Sequence, residues 1–254
     1  MHEALKMTAN QFKDGGYDKA ILALGSCEAH GQHLPLGTDT LVSYMLSCKV
    51  ADQVKGTLVL PPVAVGVSEH YAAFPFTLYV KADTMTAVIR DILRTTILNG
   101  ITRIFIFNGH DGNIAPIETA AREVKMEFPQ ARIIAMNDWW IAAGKLLPRD
   151  TFQVWEGLGH AGEGETSIAL RLFPDWCQME NAAGVIPDRL PPFMDVKWAF
   201  SELTNTAATG DPTKGTVQKG EKMENVLVSL VVETLKKLDA AGWDYSSTMT
   251  QARP

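Results

Sequence analysis

The chain has too few cysteines to be held together by disulfides. There are three among 254 residues, an odd number at unrelated spacings, which suits free thiols in a reducing cytosol better than a secreted disulfide framework. No apolar run reaches the roughly 18 residues that a membrane span needs. The start, MHEALKMTANQFKDGG, lacks the charged segment and apolar stretch of a signal peptide, so no leader and a cytoplasmic location are expected. Positive charge is in deficit too: 23 Lys and Arg against 29 Asp and Glu give a formal net charge of -6. That balance argues against nucleic acid or an anionic membrane as the main partner and leaves a small molecule. Repeats, low-complexity tracts and polar linkers are also missing. What is present, 46% hydrophobic and 20% charged residues, describes an ordinary globule. Residues 1–254 are therefore expected to form one domain.

Along the chain, strand-like and helix-like segments alternate. AILALGS (20–26), TLVLPPVAVG (57–66), RIFIFN (103–108) and ARIIAMN (131–137) read as apolar strands. Between them lie helical stripes. One is predicted from Leu41, Tyr44, Met45, Cys48, Ala51 and Val54. A second is capped by Asp83, ends at Asn99-Gly100 and turns Val88, Ile89, Ile92, Leu93 and Ile97 inward. A third carries Ile114, Ile117, Ala120, Ala121, Val124 and Phe128. GETSIALRLFP is a short helix stopped by Pro174, and a last helix runs from about Lys222 to Leu238. Residues 184–220, rich in proline and poor in periodicity, read as a long ordered excursion over the site or at a subunit contact. Alternating strands and helices imply right-handed crossovers and a layered α/β/α domain on a mostly parallel sheet.

The chemistry concentrates where these strands end, which is where open parallel sheets bind ligands. GSCEAHGQHLPLGTDT places Glu28, His30 and Asp39 just after the first strand; FNGHDGN places His110 after another; GHAGEGETS adds His160 and Glu165. In extended chain, Glu28 and His30 point the same way, and Asp39, opening the next helix, folds back over them. A carboxylate can bridge two cations, and a pair of divalent ions supports hydrolysis. Imidazole and carboxylate ligands without thiolate suit zinc, manganese or iron. A lone histidine beside a carboxylate is more often a hydrogen-bonded pair, so the argument rests on the joint position of Glu28, His30, Asp39 and His110. Other residues are more ambiguous. Asp111 and Asn113 read as turn or cap residues, with Asp111 also a candidate for the substrate pocket. His33 either supports the ligands or orients its loop. His70 and Trp139, or its neighbour Trp140, are candidates to line the pocket. Cys27 offers a rival, a cysteine hydrolase, but GSCE has no nucleophile context and a free cysteine is usually small packing.

At GSCEAHGQHLPLGTD, SEHYAAFPFT, NGHDGN and HAGEGETS, over roughly residues 20–173, the chain resembles the creatininase family. The resemblance implies a layered α/β fold, two divalent metals (zinc foremost, manganese or iron otherwise), a homohexamer, and hydrolysis of amide or cyclic amide C–N bonds. Deformylation of a pyrimidine nucleotide, peptide trimming and ring opening of a cyclic polyol diketone are related activities. By resemblance Glu28, Asp39 and His110 hold one metal and His30 and Asp39 the other, Asp39 bridging; Glu165 is the choice for the remaining ligand, with Asp111 as alternative. His160 is then the proton shuttle. Two carboxylates of true creatininases are missing, at Gly112 and Gly159, and FPGT is FPFT with Phe76. A small planar ureide needs such carboxylates for its ring nitrogens, so creatinine itself is not expected as the substrate. Rival functions are C–C hydrolysis of a diketo-inositol and a non-catalytic module binding a sugar or nucleotide.

Overall fold

The computed structural model describes residues 2–188 and 196–244. The order of elements is α1 (Ala9–Asp14), β1 (Lys19–Leu24), α2 (Thr38–Ala51), β2 (Thr57–Val59), α3 (Ala82–Leu98), β3 (Arg103–Asn108), α4 (Ile114–Glu127), β4 (Arg132–Met136), α5 (Trp139–Leu146), α6 (Glu163–Leu172) and α7 (Val217–Ala240). Among the described residues the strands form one sheet in the order β2-β1-β3-β4, every pair parallel.

The period of two in the central strands sorts the core into two layers. Ile21, Phe105 and Phe107 face α2, α6 and α7, meeting Val42, Leu46, Ile168, Leu227 and Val231. Ala20, Leu22, Leu24, Ile104 and Ile106 face α3 and α4, meeting Ile89, Leu93, Ile117 and Val124. Each large side chain buried this way contributes roughly 1.5–3 kcal/mol. The result is the expected single α/β domain with helices on both faces of a parallel sheet. The chain leaves β1 towards β2 and leaves β3 towards β4, in opposite directions. The crevice beyond the carboxyl ends of β1 and β3 is therefore the topological switch point.

Several local expectations are corrected. The second strand is only three residues, because Pro61 and Pro62 supply no ladder donors. The buried face of α2 holds Val42, Ser43, Leu46, Ser47, Val50 and Ala51; of the predicted stripe Ala51 and Val54 are buried, while Leu41 and Met45 pack against the core only in part. Its serines bond back to the helix, Ser43 to Asp39 O at 2.8 Å and Ser47 to Ser43 O at 2.6 Å. Their hydroxyls are satisfied locally, so a polar-looking face packs inward. Asp83 lies inside the first turn of α3 and makes no cap; Lys81 occupies that position. Val88, expected to point inward, is 38% exposed. The last helix begins five residues earlier than predicted, capped by Thr216, whose hydroxyl accepts from Lys219 N at 3.3 Å. Of the excursion, residues 189–195 lie outside the described residues. Thr209, further along it, pairs with His160 in both directions: Thr209 N donates to His160 O at 2.8 Å and His160 N to Thr209 Oγ1 at 2.9 Å.

Candidate metal centre

Three chain segments meet at the switch point. The loop after β1 carries Glu28 and His30, the first turn of α2 carries Asp39, and the loop after β3 carries His110. Gly109 makes the meeting possible, since a Cβ there would lie 2.3 Å from Asp39 O. The N-terminus of α2 also favours the Asp39 carboxylate. Asn113 ties the loops together, donating to Gly25 O at 3.0 Å and accepting from Val67 N at 3.2 Å. It is buried and, as the turn or cap reading has it, ends a 3-10 turn at the N-cap position of α4, though its side chain makes no cap bond.

Each site histidine is anchored through one ring nitrogen to a main-chain carbonyl. His110 Nε2 lies 3.0 Å from Val67 O, His30 Nδ1 3.2 Å from Glu28 O, and His160 Nε2 2.7 Å from Ala29 O. A carbonyl only accepts, so these nitrogens keep their protons, and the opposite ring nitrogen is the one that can give up its proton to become a ligand. Those opposite nitrogens face carboxylates. His110 Nδ1 is 3.1 Å from Asp39 Oδ2 and 3.3 Å from Glu28 Oε1. His30 Nε2 is 2.8 Å from Asp39 Oδ1 and 4.0 Å from Glu165 Oε2. Thus Asp39 offers one oxygen to each histidine. Glu28 is fully buried, and neither of its carboxylate oxygens makes a hydrogen bond to a described residue.

Three overlapping donor sets lie here, Glu28–Asp39–His110, His30–Asp39–Glu165 and Glu28–His30–His160, each with its donor atoms within 4.8 Å of one another. Buried anionic oxygens and imidazole nitrogens aimed at one point, with an orphaned carboxylate among them, fit a pair of divalent cations. The chain's electrostatics express the same demand for positive charge. Burial opposes a charged His30, yet the carboxylates of Asp39, Glu165 and Glu28 outweigh it and lift its pKa to about 10. His110 likewise rises against burial, drawn by Glu28 and Asp39. Asp39 is held low despite burial by His30 and His110. Glu165 is pushed up to about 7, by burial first and by Asp39 and Glu28 beyond what His30 offsets.

His160 differs. Its ring packs between His30 (4.3 Å between centroids), Tyr71 (4.4 Å) and Phe200 (5.0 Å). Burial, then the neighbouring His30, lowers its pKa to about 3, so the imidazole is neutral. Its Nδ1 lies 3.9 Å from Glu28 Oε1. Beside these groups opens a cavity of about 280 Å³, lined by Asp39, His110, His160, Glu165, His70, Tyr71, Asp111, Trp140, Ile141, Leu158 and three glycines.

The remaining candidates separate here. His70 and Asp111 line the cavity. Asp111 belongs to none of these donor sets. Trp139 is corrected: it is fully buried among Phe107, Ala143 and the α7 residues of the core, and Trp140 takes the cavity wall. Consecutive helix residues diverge by about 100°, so one of the pair had to point away. His33 lies outside the cavity and bonds Thr166 Oγ1 at 2.9 Å, holding its loop to α6. Gly112 and Gly159 leave no room for a carboxylate: a Cβ would fall 2.1 Å from Val67 O at the first and 2.5 Å from Thr209 O at the second.

Sequence reasoning missed Tyr71, Phe200 and Ser26. Tyr71 sits next to His70 in the SEHY motif, which was its signal. Ser26 donates to Asp39 Oδ2 at 2.7 Å, and GSCE was its signal. Phe200, in an aperiodic stretch, had none. Glu163, two residues before Glu165, proved structural: it accepts from Gln153 N at 2.8 Å, Val154 N at 2.9 Å and Lys219 Nζ.

The family model described as "Creatinine amidohydrolase" matches residues 5–235. The chain belongs to the creatininase family. It is 28% identical over 216 residues to the mycofactocin precursor peptide peptidase of Mycobacterium ulcerans (strain Agy99), covering 80% of this chain and 78% of that one. Identity to the creatinine amidohydrolase of Pseudomonas putida is 26%, covering 85% and 88%. Identity to the 3-dehydro-scyllo-inosose hydrolase of Thermotoga maritima is 29%, over 67% of this chain and 55% of that one. A solved structure described as "Creatininase Mn" superposes with a TM-score of 0.81 at 22% identity, covering 92% of this chain and 97% of that one. Family members are hydrolases, amidohydrolases and peptidases among them.

Proposed function

We propose that the protein is a hydrolase dependent on two divalent cations that cleaves an amide or cyclic amide C–N bond of a small molecule other than creatinine. Glu28, Asp39 and His110 hold one cation; His30, Asp39 and Glu165 hold the other. Zinc is the first choice, with manganese or iron as alternatives. The observation that carries this reading is the buried Glu28 carboxylate without hydrogen-bond donors, facing imidazole nitrogens whose opposite ring nitrogens are anchored to main-chain carbonyls.

When bound, such ions supply Lewis acidity towards a carbonyl and make a water more acidic. The chain's residues do the rest. Tyr71 and Phe200 cover His160 and keep bulk water from it. His160 receives a proton at Nδ1 from the attacking water and returns it to the leaving nitrogen as the C–N bond breaks. Its carbonyl-bound Nε2–H keeps the ring oriented for both transfers.

Against creatinine stand the carboxylate-free positions 112 and 159. A second reading, C–C cleavage of a cyclic diketone, draws on the similarity to the inosose hydrolase, although that match spans little more than half of the relative. The wider reading is a homo-oligomer, a hexamer by resemblance, acting in the cytosol without nucleic acid or membrane. All three cysteines are free, and no helix among the described residues is long and apolar enough to cross a membrane. A metal-supplemented screen of small amides, ureides and inositol ketones tests the function. Turnover of an amide or ureide, with creatinine negligible, is the expected result. Turnover of inositol ketones alone moves the reading to C–C cleavage. Protein that takes up no metal, and turns over none of the panel, points to a binding module.

A further inference from the structure

The cavity walls carry information about the substrate that the metal centre does not. Among the lining residues the carboxylates of Asp39 and Glu165 are engaged with His30, but the Asp111 carboxylate makes no hydrogen bond or ion pair to another described residue, and Asp111 is exposed at the mouth. It is held on a rigid support: Asp111–Asn113 is one 3-10 turn, and Asn113 is clamped to both neighbouring loops. A second carboxyl shares its surroundings. Asp138, half-buried at the start of α5, is kept above its ordinary pKa by burial and by the charge of Asp111. No lysine or arginine lines the cavity among the described residues. Trp140, Ile141 and Leu158 supply apolar wall, and an indole face also attracts cations.

Resting on the hydrolase reading above, we infer that the substrate carries a cationic nitrogen, an ammonium or guanidinium, which Asp111 binds at the cavity mouth while the scissile carbonyl sits over Asp39 and Glu165. A substrate carboxylate in that position would meet like charge with no basic side chain to receive it. A purely apolar group would leave Asp111 partly desolvated without a partner. An opposite charge at contact distance favours the cationic substrate instead. The apolar wall fits a short methylene stem between the two ends.

Three primary amides of similar length test this by calorimetric binding to the zinc-loaded full chain: 4-aminobutanamide (cationic), pentanamide (neutral) and glutaramate (anionic). The expected order is cationic, neutral, anionic, with an advantage on the order of tenfold for 4-aminobutanamide over pentanamide that salt reduces. In Asp111→Asn that ratio should fall below about threefold, and in Asp111→Glu it should largely persist. Equal binding of all three amides, a preference for glutaramate, or an unchanged ratio in Asp111→Asn overturns the inference. Zinc content and hydrolysis are read on the same samples. Two ions and turnover without a cationic preference refute Asp111's role alone. A cationic preference in protein that binds no metal refutes the hydrolase reading and leaves Asp111's role standing.

Discussion

Glu28 and Glu163 are both fully buried carboxylates, and their surroundings are opposite. Glu163 is complete within the chain. Two main-chain amides and the Lys219 ammonium satisfy its oxygens, joining α6 to the 153–154 loop and to α7. Glu28 has no hydrogen-bond donor, only histidine nitrogens at ion-pair distance. An ionised carboxylate out of water costs several kcal/mol unless it is compensated; within the chain His110 and His160 offset Glu28 and hold its pKa low despite burial, a charge contact without the hydrogen bonds that complete Glu163. The same test sorts other clusters. His2, Glu3 and Cys48 also lie within metal-ligand range. There, however, Glu3 already accepts from Lys6 at 2.8 Å and Tyr44 at 3.0 Å, and His2 pairs with Asp52 at 3.4 Å. That group is a finished network; the one at the switch point is not.

The comparison can be broken most severely at Asp39. Asp39→Ala, which removes the shared oxygens, should lower occupancy of both ions and take activity to background, whereas His30→Ala should lose mainly one ion; elemental analysis of the two variants checks this. Next in size is the shuttle. His160→Ala should keep its metal and its fold while turnover falls by roughly 10²–10⁴. Near-full activity on the true substrate would assign the proton transfer elsewhere.

Stability sharpens the contrast further. Glu163→Gln takes its counter-charge from the mostly buried Lys219 ammonium, which keeps only Lys214 O as acceptor, and should cost about 3–5 kcal/mol. In chelator-treated protein, Glu28→Gln removes a carboxylate that only histidine nitrogens offset and that no donor hydrogen-bonds, so it should cost less than Glu163→Gln. Denaturant melts of both variants, with and without chelator, read the difference. Equal losses would erase the distinction. The smallest expected effect is at Ser26. Ser26→Ala deletes the donor to Asp39 Oδ2 and should weaken metal affinity by about 10-fold to 100-fold, the usual cost of losing a residue that orients a ligand. Competition with a metal indicator dye measures it.

What could be seen in the sequence follows the same division between local and nonlocal causes. The strands at 20–24 and 103–108 are apolar runs because both faces are covered, and such runs read directly; 132–136, at the sheet edge, is only half-buried yet reads from its apolar residues 133–136. Glu28, His30, Asp39 and His110 stood out because strand ends place them together. The centre of the α2 face was misjudged because Ser43 and Ser47 satisfy themselves, which hydropathy does not register. Trp139 and Trp140 are equivalent in composition, and only the rotation of α5 against the core tells them apart. Glu163 and Glu165 share one helix end, yet Lys219, 56 positions away in sequence from Glu163, decides which is structural. Phe200 reaches His160 from a segment without periodicity. Each of these depends on contacts between residues far apart in the chain, which spacing alone does not encode.

The most direct test of the account is the metal stoichiometry of the whole chain. Protein loaded with zinc, freed of loose metal by desalting and submitted to elemental analysis should hold close to two ions per chain, and Glu28→Gln prepared in parallel should hold about one. A wild-type chain that retains none, or in which Glu28→Gln changes nothing, would contradict the claim that the buried carboxylate at the switch point is completed by a cation.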